Sequence, residues 1–199
     1  MVDGFVSSVA VVMGVDEEVR SMSWRRRRRR ACGLWVVGLM ILLVFGAVTA
    51  GAEVKVLFSP EAGEEILETL EARIREAEER IYILMFSFTL DELAHALIAR
   101  HEDGVDLRVV IDRRQAGQEK AVDEILVEAG VPVMTVGGSN GGYMHIKMMI
   151  VDDAVITGSY NWSRGATEKN DENLLIIEDE EEVLKAHLEK FEKLWQPTS

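Results

Sequence analysis

The chain has 199 residues, of which 48% are hydrophobic, enough apolar mass for one packed domain and too much for a disordered chain. Twenty-two Lys and Arg stand against 35 Asp and Glu, a formal net charge of −13, which excludes a protein that grips polyanions with its bulk surface. One cysteine excludes an intrachain disulfide and a cysteine metal site.

In chain order, residues 1–52 read as an export segment. Arg25 to Arg30 form an unbroken cationic run, Ala31 to Ala52 carry no charge, and Ala50-Gly51-Ala52 supplies an A-x-A pattern. This is the order of a secretory signal peptide, with cleavage expected after Ala52. A retained membrane anchor is the alternative, since about 20 apolar residues cross a bilayer. Either way the arginines stay on the cytoplasmic side and the domain 53–199 is expected outside the cytoplasm, periplasmic, secreted or anchored. Asp16, Glu17 and Glu18 are unusual ahead of such a segment, so Met22 is a candidate start, which the N-terminal sequence of the precursor would decide. Cys32 lies in the apolar stretch. Residues 53–199 then hold 15 basic and 31 acidic side chains, net −16. A phosphate-bearing substrate must therefore be held by local cations, for which Lys147, Arg113, Arg114, Arg164 and Lys169 are the candidates.

From Val54 onward strands and helices alternate. Val54 to Phe58 reads as a strand, and Glu64 to Arg80 as an amphipathic helix with Ile66, Leu67, Leu70, Ile74 and Ala77 at helical spacing. Ile81 to Phe88 is a buried strand, Leu90 to His101 a helix, Val105 to Ile111 a strand, Gln118 to Ala129 a helix and Val131 to Val136 a strand. Gly137 to Gly142 lacks the Gly-Lys-Ser/Thr ending of a phosphate loop; it reads as a flexible connector able to act as a mobile rim beside His145. Two further strands follow, then a strand from Asn173 to Ile177 and a helix from Glu180 to Trp195. The acidic run Glu178 to Glu182 suits a helix start. His95, His101 and His187 sit singly in helices, without partners at metal-ligand spacing. The pattern predicts an α/β layered domain with a mixed central sheet flanked by helices, parallel pairs early and a hairpin late.

Between His145 and Glu172 the chain gathers His145, Lys147, Asp152, Gly158, Ser159, Asn161 and Glu172. Side chains alternate along an extended strand, so His145 and Lys147 share a face. Ser159 and Asn161 repeat that spacing on the run Val155 to Tyr160, which Asp152-Asp153 can fold back as a hairpin. An imidazole, an ammonium, a hydroxyl and an amide then converge, a set suited to phosphodiester chemistry.

The segment His145-Ile146-Lys147-Met148-Met149-Ile150-Val151-Asp152, with Gly158-Ser159-Tyr160-Asn161-Trp162 and Glu172-Asn173, resembles the HKD motif of the phospholipase D superfamily. It is most similar to the small, single-motif, exported bacterial endonucleases of that superfamily. Residues 80–88 and 104–112 resemble two further family strands, so the likeness covers nearly all of 53–199. One departure is the five residues between Asp152 and Gly158 where the family usually has six. A deletion inside a strand would invert the facing of Ser159 and Asn161, so the loss is expected in the turn.

The resemblance implies a two-step, metal-free and cofactor-free phosphoryl transfer: one histidine attacks phosphorus and a second protonates the leaving oxygen. His145 is the one His followed by x-Lys, so the resemblance also implies a homodimer with a shared site. It casts Lys147, Ser159 and Asn161 as holders of phosphoryl oxygens, Glu172 as the carboxylate that orients His145, and Asp152 and Gly158 as structural members of the motif. A nonspecific nuclease acting on DNA or RNA is the expected function. The alternatives are a phospholipase acting on cardiolipin or another phospholipid, and a noncatalytic exported binding domain. The Cys/His zinc element frequent in the mitochondrial branch is missing, which favours the nuclease.

Overall fold

A computed structural model describes residues 53–196; the expected export segment, its cleavage point, Cys32 and Met22 lie outside the described residues. The elements are β1 (Glu53–Ser59), α1 (Gly63–Glu76), β2 (Arg80–Met85), α2 (Asp91–Glu102), β3 (Asp106–Asp112), α3 (Asp123–Glu128), β4 (Val133–Val136), a 3₁₀ turn (Ser139–Gly141), β5 (Lys147–Val151), β6 (Ala154–Gly158), α4 (Arg164–Glu168), β7 (Glu172–Glu178) and α5 (Glu181–Leu194). The strands form one mixed sheet in the order β1-β7-β6-β5-β2-β3-β4. β2, β3 and β4 are parallel neighbours, and every other pairing is antiparallel. The α/β layering and mixed sheet follow the sequence expectation.

Alternation along each strand divides the core into two layers. On one face Ile81, Ile83, Met85, Val109, Ile111, Met149 and Val151 pack with Ile66, Leu70 and Ile74 of α1, Leu93 and Leu97 of α2, Leu126 of α3 and Ala166 of α4. On the other, Tyr82, Leu84, Val110, Met148, Ile150 and Val155 meet Phe191 of α5. The Tyr82 and Phe191 rings stack at 4.7 Å. Burial, helped by the Asp106 carboxylate that accepts from its hydroxyl at 2.6 Å, pushes the Tyr82 phenol up to about 12.

Several boundaries differ from the sequence reading, each for a local reason. α1 stops at Glu76 rather than Arg80 because the N–H groups of Glu78, Glu79 and Arg80 donate to the Asp152 carboxylate at 3.0, 2.8 and 3.1 Å. α3 begins only at Asp123: Lys120 has φ +82°, and the Gly117 N–H donates to the Asp123 carboxylate. The short α4 was not anticipated; it is capped by Ser163, whose Oγ accepts from the Ala166 N–H at 3.3 Å. His145 precedes β5 instead of lying within it.

Met148 pairs with Thr157 and Val151 with Ala154, so Asp152 and Asp153 form a two-residue turn. Asp152 adopts φ +48°, a left-handed conformation that Asp tolerates better than most residues. Arg80 adds a bond from Nε to the Asp152 carbonyl at 2.9 Å and an ion pair to Asp153 at 2.6 Å.

Burial pushes the Asp152 carboxyl up, but the three N–H donors and Arg80 outweigh it and hold the group below its ordinary value. Stabilisation from a depressed carboxylate is fully present above the unfolded pKa and lost as pH falls through the folded one. Asp152→Ala is expected to cost about 1–3 kcal/mol at pH 7 by leaving those donors without their acceptor. Asp152→Asn, which keeps one acceptor and the tolerance for positive φ, costs less. Both gaps from wild type should shrink below about pH 4, as urea denaturation across pH would show.

Candidate active site

The candidate residues gather at one end of the sheet, where β2, β3, β4 and β6 finish and β5 and β7 begin. In open α/β sheets the carboxyl ends of parallel strands are the usual place for a ligand crevice. Lys147 opens β5 and sends its side chain to the face shared by Met149 and Val151. There it lines a small cavity with Met85, Met149, Tyr160 and Trp162, and the residue is 6% exposed. Its Nζ donates to the His145 carbonyl at 2.9 Å and lies 2.9 and 3.1 Å from the two imidazole nitrogens. An ammonium has only donors, so the ring nitrogen that accepts from it carries a lone pair. Burial lowers the Lys147 pKa, with the Glu172 carboxylate pulling the other way.

His145 is exposed and its ring lies 4.4 Å from that of Phe86. Expected neighbours of His145 and Lys147 therefore do meet, at hydrogen-bond distance. Asn161 is set by a second tie. Phe88 and Trp162 form a parallel bridge, the Trp162 N–H donates to the Ser87 carbonyl and the Thr89 N–H to the Trp162 carbonyl. Fully buried Trp162 meets Phe88 edge-on at 4.7 Å. Asn161 Oδ1 then accepts from the Ser87 N–H at 3.3 Å, which leaves its two Nδ2 donors available. Ser159 Oγ accepts from the Asn173 N–H at 3.1 Å, leaving its hydroxyl hydrogen to donate. Gly158 has φ +152°, and a Cβ there would lie 2.2 Å from the Asn173 carbonyl oxygen. The close β6–β7 approach that positions Ser159 therefore requires glycine.

Glu172 is half-buried and its carboxylate accepts from Asn170 Nδ2 at 3.2 Å, while within the chain the His145 ring meets the Lys147 ammonium. Arg164 is paired with Glu92 of α2. Lys169 is exposed beyond α4. Arg113 and Arg114 are exposed at the end of β3, nearer in the fold to the strand ends that carry the site. His187 bonds the carbonyl of Val183 through Nδ1, and His95 is exposed. Among the described residues no three His, Asp or Glu side chains form a group able to hold a metal ion.

The sequence reading passed over Phe86, Asp112 and Tyr143. Phe86 contacts both the His145 ring and Tyr143. Asp112, 1% exposed, accepts the N–H groups of Arg114 and Met144 at 2.9 and 2.7 Å. Phe86 and Asp112 close apolar strands and so look like their last core residues.

A family model described as "Cardiolipin synthase, PLD-like domain" matches residues 70–195. The chain belongs to the phospholipase D-like family. It is 32% identical to the human mitochondrial cardiolipin hydrolase over 95% of this chain and 79% of that protein, but spans about half the length of several other relatives of that description. Among solved structures it is similar to Nuc from Salmonella typhimurium, a phospholipase D family member, with 31% identity and a TM-score of 0.64 over 72% of this chain and 94% of that one. NucT from Helicobacter pylori gives 25% identity and a TM-score of 0.63 over 72% and 95% of the two chains. As a phospholipase D-like protein the chain is a phosphodiester hydrolase, and the geometry above is that of its HKD segment.

Lys147→Met should separate activity from stability. Losing the ammonium is expected to lower phosphodiester hydrolysis on the order of 10²–10³-fold, while Tm stays level or rises because a desolvated charge is removed. The wild-type penalty is full below the depressed folded pKa and fades as pH rises toward the unfolded value of about 10.4. The Tm difference should narrow accordingly in alkaline buffer.

Proposed function

We propose that this chain is a metal-independent nuclease of broad sequence tolerance that cleaves DNA or RNA through a phosphohistidine at His145, acting outside the cytoplasm as a homodimer. The carrying observation is the pairing of one exposed imidazole with one buried ammonium at 2.9 Å. One chain offers one such histidine, whereas displacement at phosphorus followed by hydrolysis needs two.

In the first step a lone pair of His145 attacks phosphorus and the bond to the leaving oxygen breaks. The His145 of a second copy gives that oxygen its proton. The same imidazole then takes a proton from water, whose oxygen attacks phosphorus, and the phosphorus–nitrogen bond breaks to restore His145. The products are an alcohol and a phosphomonoester. Lys147, the Ser159 hydroxyl and Asn161 Nδ2 would stabilise the negative oxygens of both transition states. Glu172, bonded to Asn170 within one chain, would accept from an imidazole of the assembled pair.

Support for a second copy comes from β1. Val54, Val56 and Phe58 share one face of this edge strand and are 44–58% exposed. Phe58 also lines a cavity with Ser59, Glu61, Ser159, Asp171, Glu172 and Asn173. The apolar stripe thus runs to the motif that needs a partner. A lipid phosphodiesterase is the second reading, favoured by the similarity to the human cardiolipin hydrolase. Among the described residues no helix is long and apolar enough to cross a membrane.

Purified protein and His145→Asn would be compared on single-stranded DNA, RNA, duplex DNA and cardiolipin vesicles, with and without chelator. Nucleic-acid cleavage that resists chelator and vanishes in His145→Asn is expected. Turnover of cardiolipin alone selects the second reading, and cleavage that survives His145→Asn rejects the mechanism. In sedimentation, Phe58→Asp is expected to shift dimer to monomer with loss of at least 10-fold in specific activity; a fully active wild-type monomer rejects the shared site.

A further inference from the structure

We propose that Tyr143, backed by Phe86 and covered by Arg114, is a stacking subsite for one unpaired nucleobase beside the scissile phosphate, so that single-stranded nucleic acid is the substrate class. This rests on the nuclease reading above. Tyr143 is 52% exposed, although Met144 beside it is buried. Phe86 meets it edge-on with centroids 5.6 Å apart and also touches the His145 ring. The Arg114 guanidinium lies 4.5 Å from the Tyr143 centroid. A continuous aromatic wall therefore leads from the histidine to an exposed ring with a cation on it.

The ring is held in place before any ligand arrives. Buried Asp112 accepts both the Arg114 and Met144 N–H groups, which pins the two segments that carry the subsite. Arg114 Nη2 donates to the Gly141 carbonyl at 3.1 Å, and the Gly138 N–H to the Gly142 carbonyl at 3.0 Å. At Gly138 a Cβ would fall 2.1 Å from the Tyr143 carbonyl oxygen. The glycine-rich connector is thus folded tightly against the tyrosine, as a fixed rim beside His145.

Chemistry selects the occupant. Two residues of extended chain span at most about 7 Å, so a ring at Tyr143 reaches the nucleotide whose phosphate lies at His145 or its neighbour. Aromatic stacking accepts every base because each has a π-face, and arginine adds to it. In a duplex those faces are already covered by neighbouring base pairs. A cationic lipid headgroup is disfavoured because Arg114 already places a positive charge over the ring. Arg113 and Arg114, both exposed, supply local attraction for a phosphate backbone on a domain whose overall charge repels it.

The test uses a fluorescent single-stranded oligonucleotide, the same strand with an abasic run, and duplex DNA. In His145→Asn, which binds without cleaving, anisotropy should show about 10-fold tighter binding of the base-bearing strand than of the abasic one. Adding Tyr143→Ala should bring that ratio toward one, whereas Tyr143→Phe and Tyr143→Trp keep it. With active enzyme, the ratio of kcat/KM on the two strands should follow the same order, and duplex should be the poorer substrate. Base-independent binding by His145→Asn, or a ratio unmoved by Tyr143→Ala, overturns the subsite. Absence of cleavage of every strand by wild type, with base-dependent binding intact, counts against the nuclease reading and supports the subsite.

Discussion

The Asp152 carboxylate sits at the opposite end of the sheet from the site, yet it governs how the site is assembled. One side chain takes the three N–H groups that lead into β2 and simultaneously sits in the turn between β5 and β6. The three central strands are thereby pinned in one register. A slip by a single residue would turn Lys147 to the other face and move Ser159 away from Asn173. The long pairings of β2 with β3 and β5 then carry that register to the catalytic end. A residue that touches no reacting group can thus be as necessary as one that does.

At that far end the molecule accepts a cost. Lys147 holds an ammonium in a nearly closed apolar layer, against its preference for water. The nearby compensations are a carbonyl, an imidazole, the Phe86 ring and the partial field of Glu172. A lysine so placed loses conformational freedom and hydration before substrate binds, so little reorganisation remains when phosphate charge develops. The buried Trp162 and Phe88 pair beneath it makes this possible by tying the chain after β6 to the chain after β2.

Much of this was legible because it is local. The continuous apolar runs Ile81 to Met85 and Met148 to Val151 read as buried strands, and the His-x-Lys spacing puts two polar groups together. The Asp152-Asp153 turn signal was legible too, and those two residues join β5 to β6. The early end of α1, by contrast, depends on a carboxylate more than 70 residues away. The short α4 carries too few residues for a periodic signal. Phe86, Asp112 and Tyr143 gain their roles from loops that meet only after the sheet has formed. Glu172 shows the same limit, since its bond to Asn170 within the chain is not readable from the motif. The edge position of β1 is equally long-range: the first described strand pairs with the last.

The site end is also divided by origin. His145, Lys147, Ser159 and Asn161 belong to the hairpin and its continuation, whereas Arg113, Arg114 and the glycine-rich rim come from the ends of β3 and β4. Phe86 touches both groups, and Asp112 links the two rim segments. Asp152 sets the hairpin register at the other end, whereas the rim is set locally by Asp112 and by the close approach of Gly138 to Tyr143. The crevice wall and the reacting groups therefore rest on different anchors of one sheet.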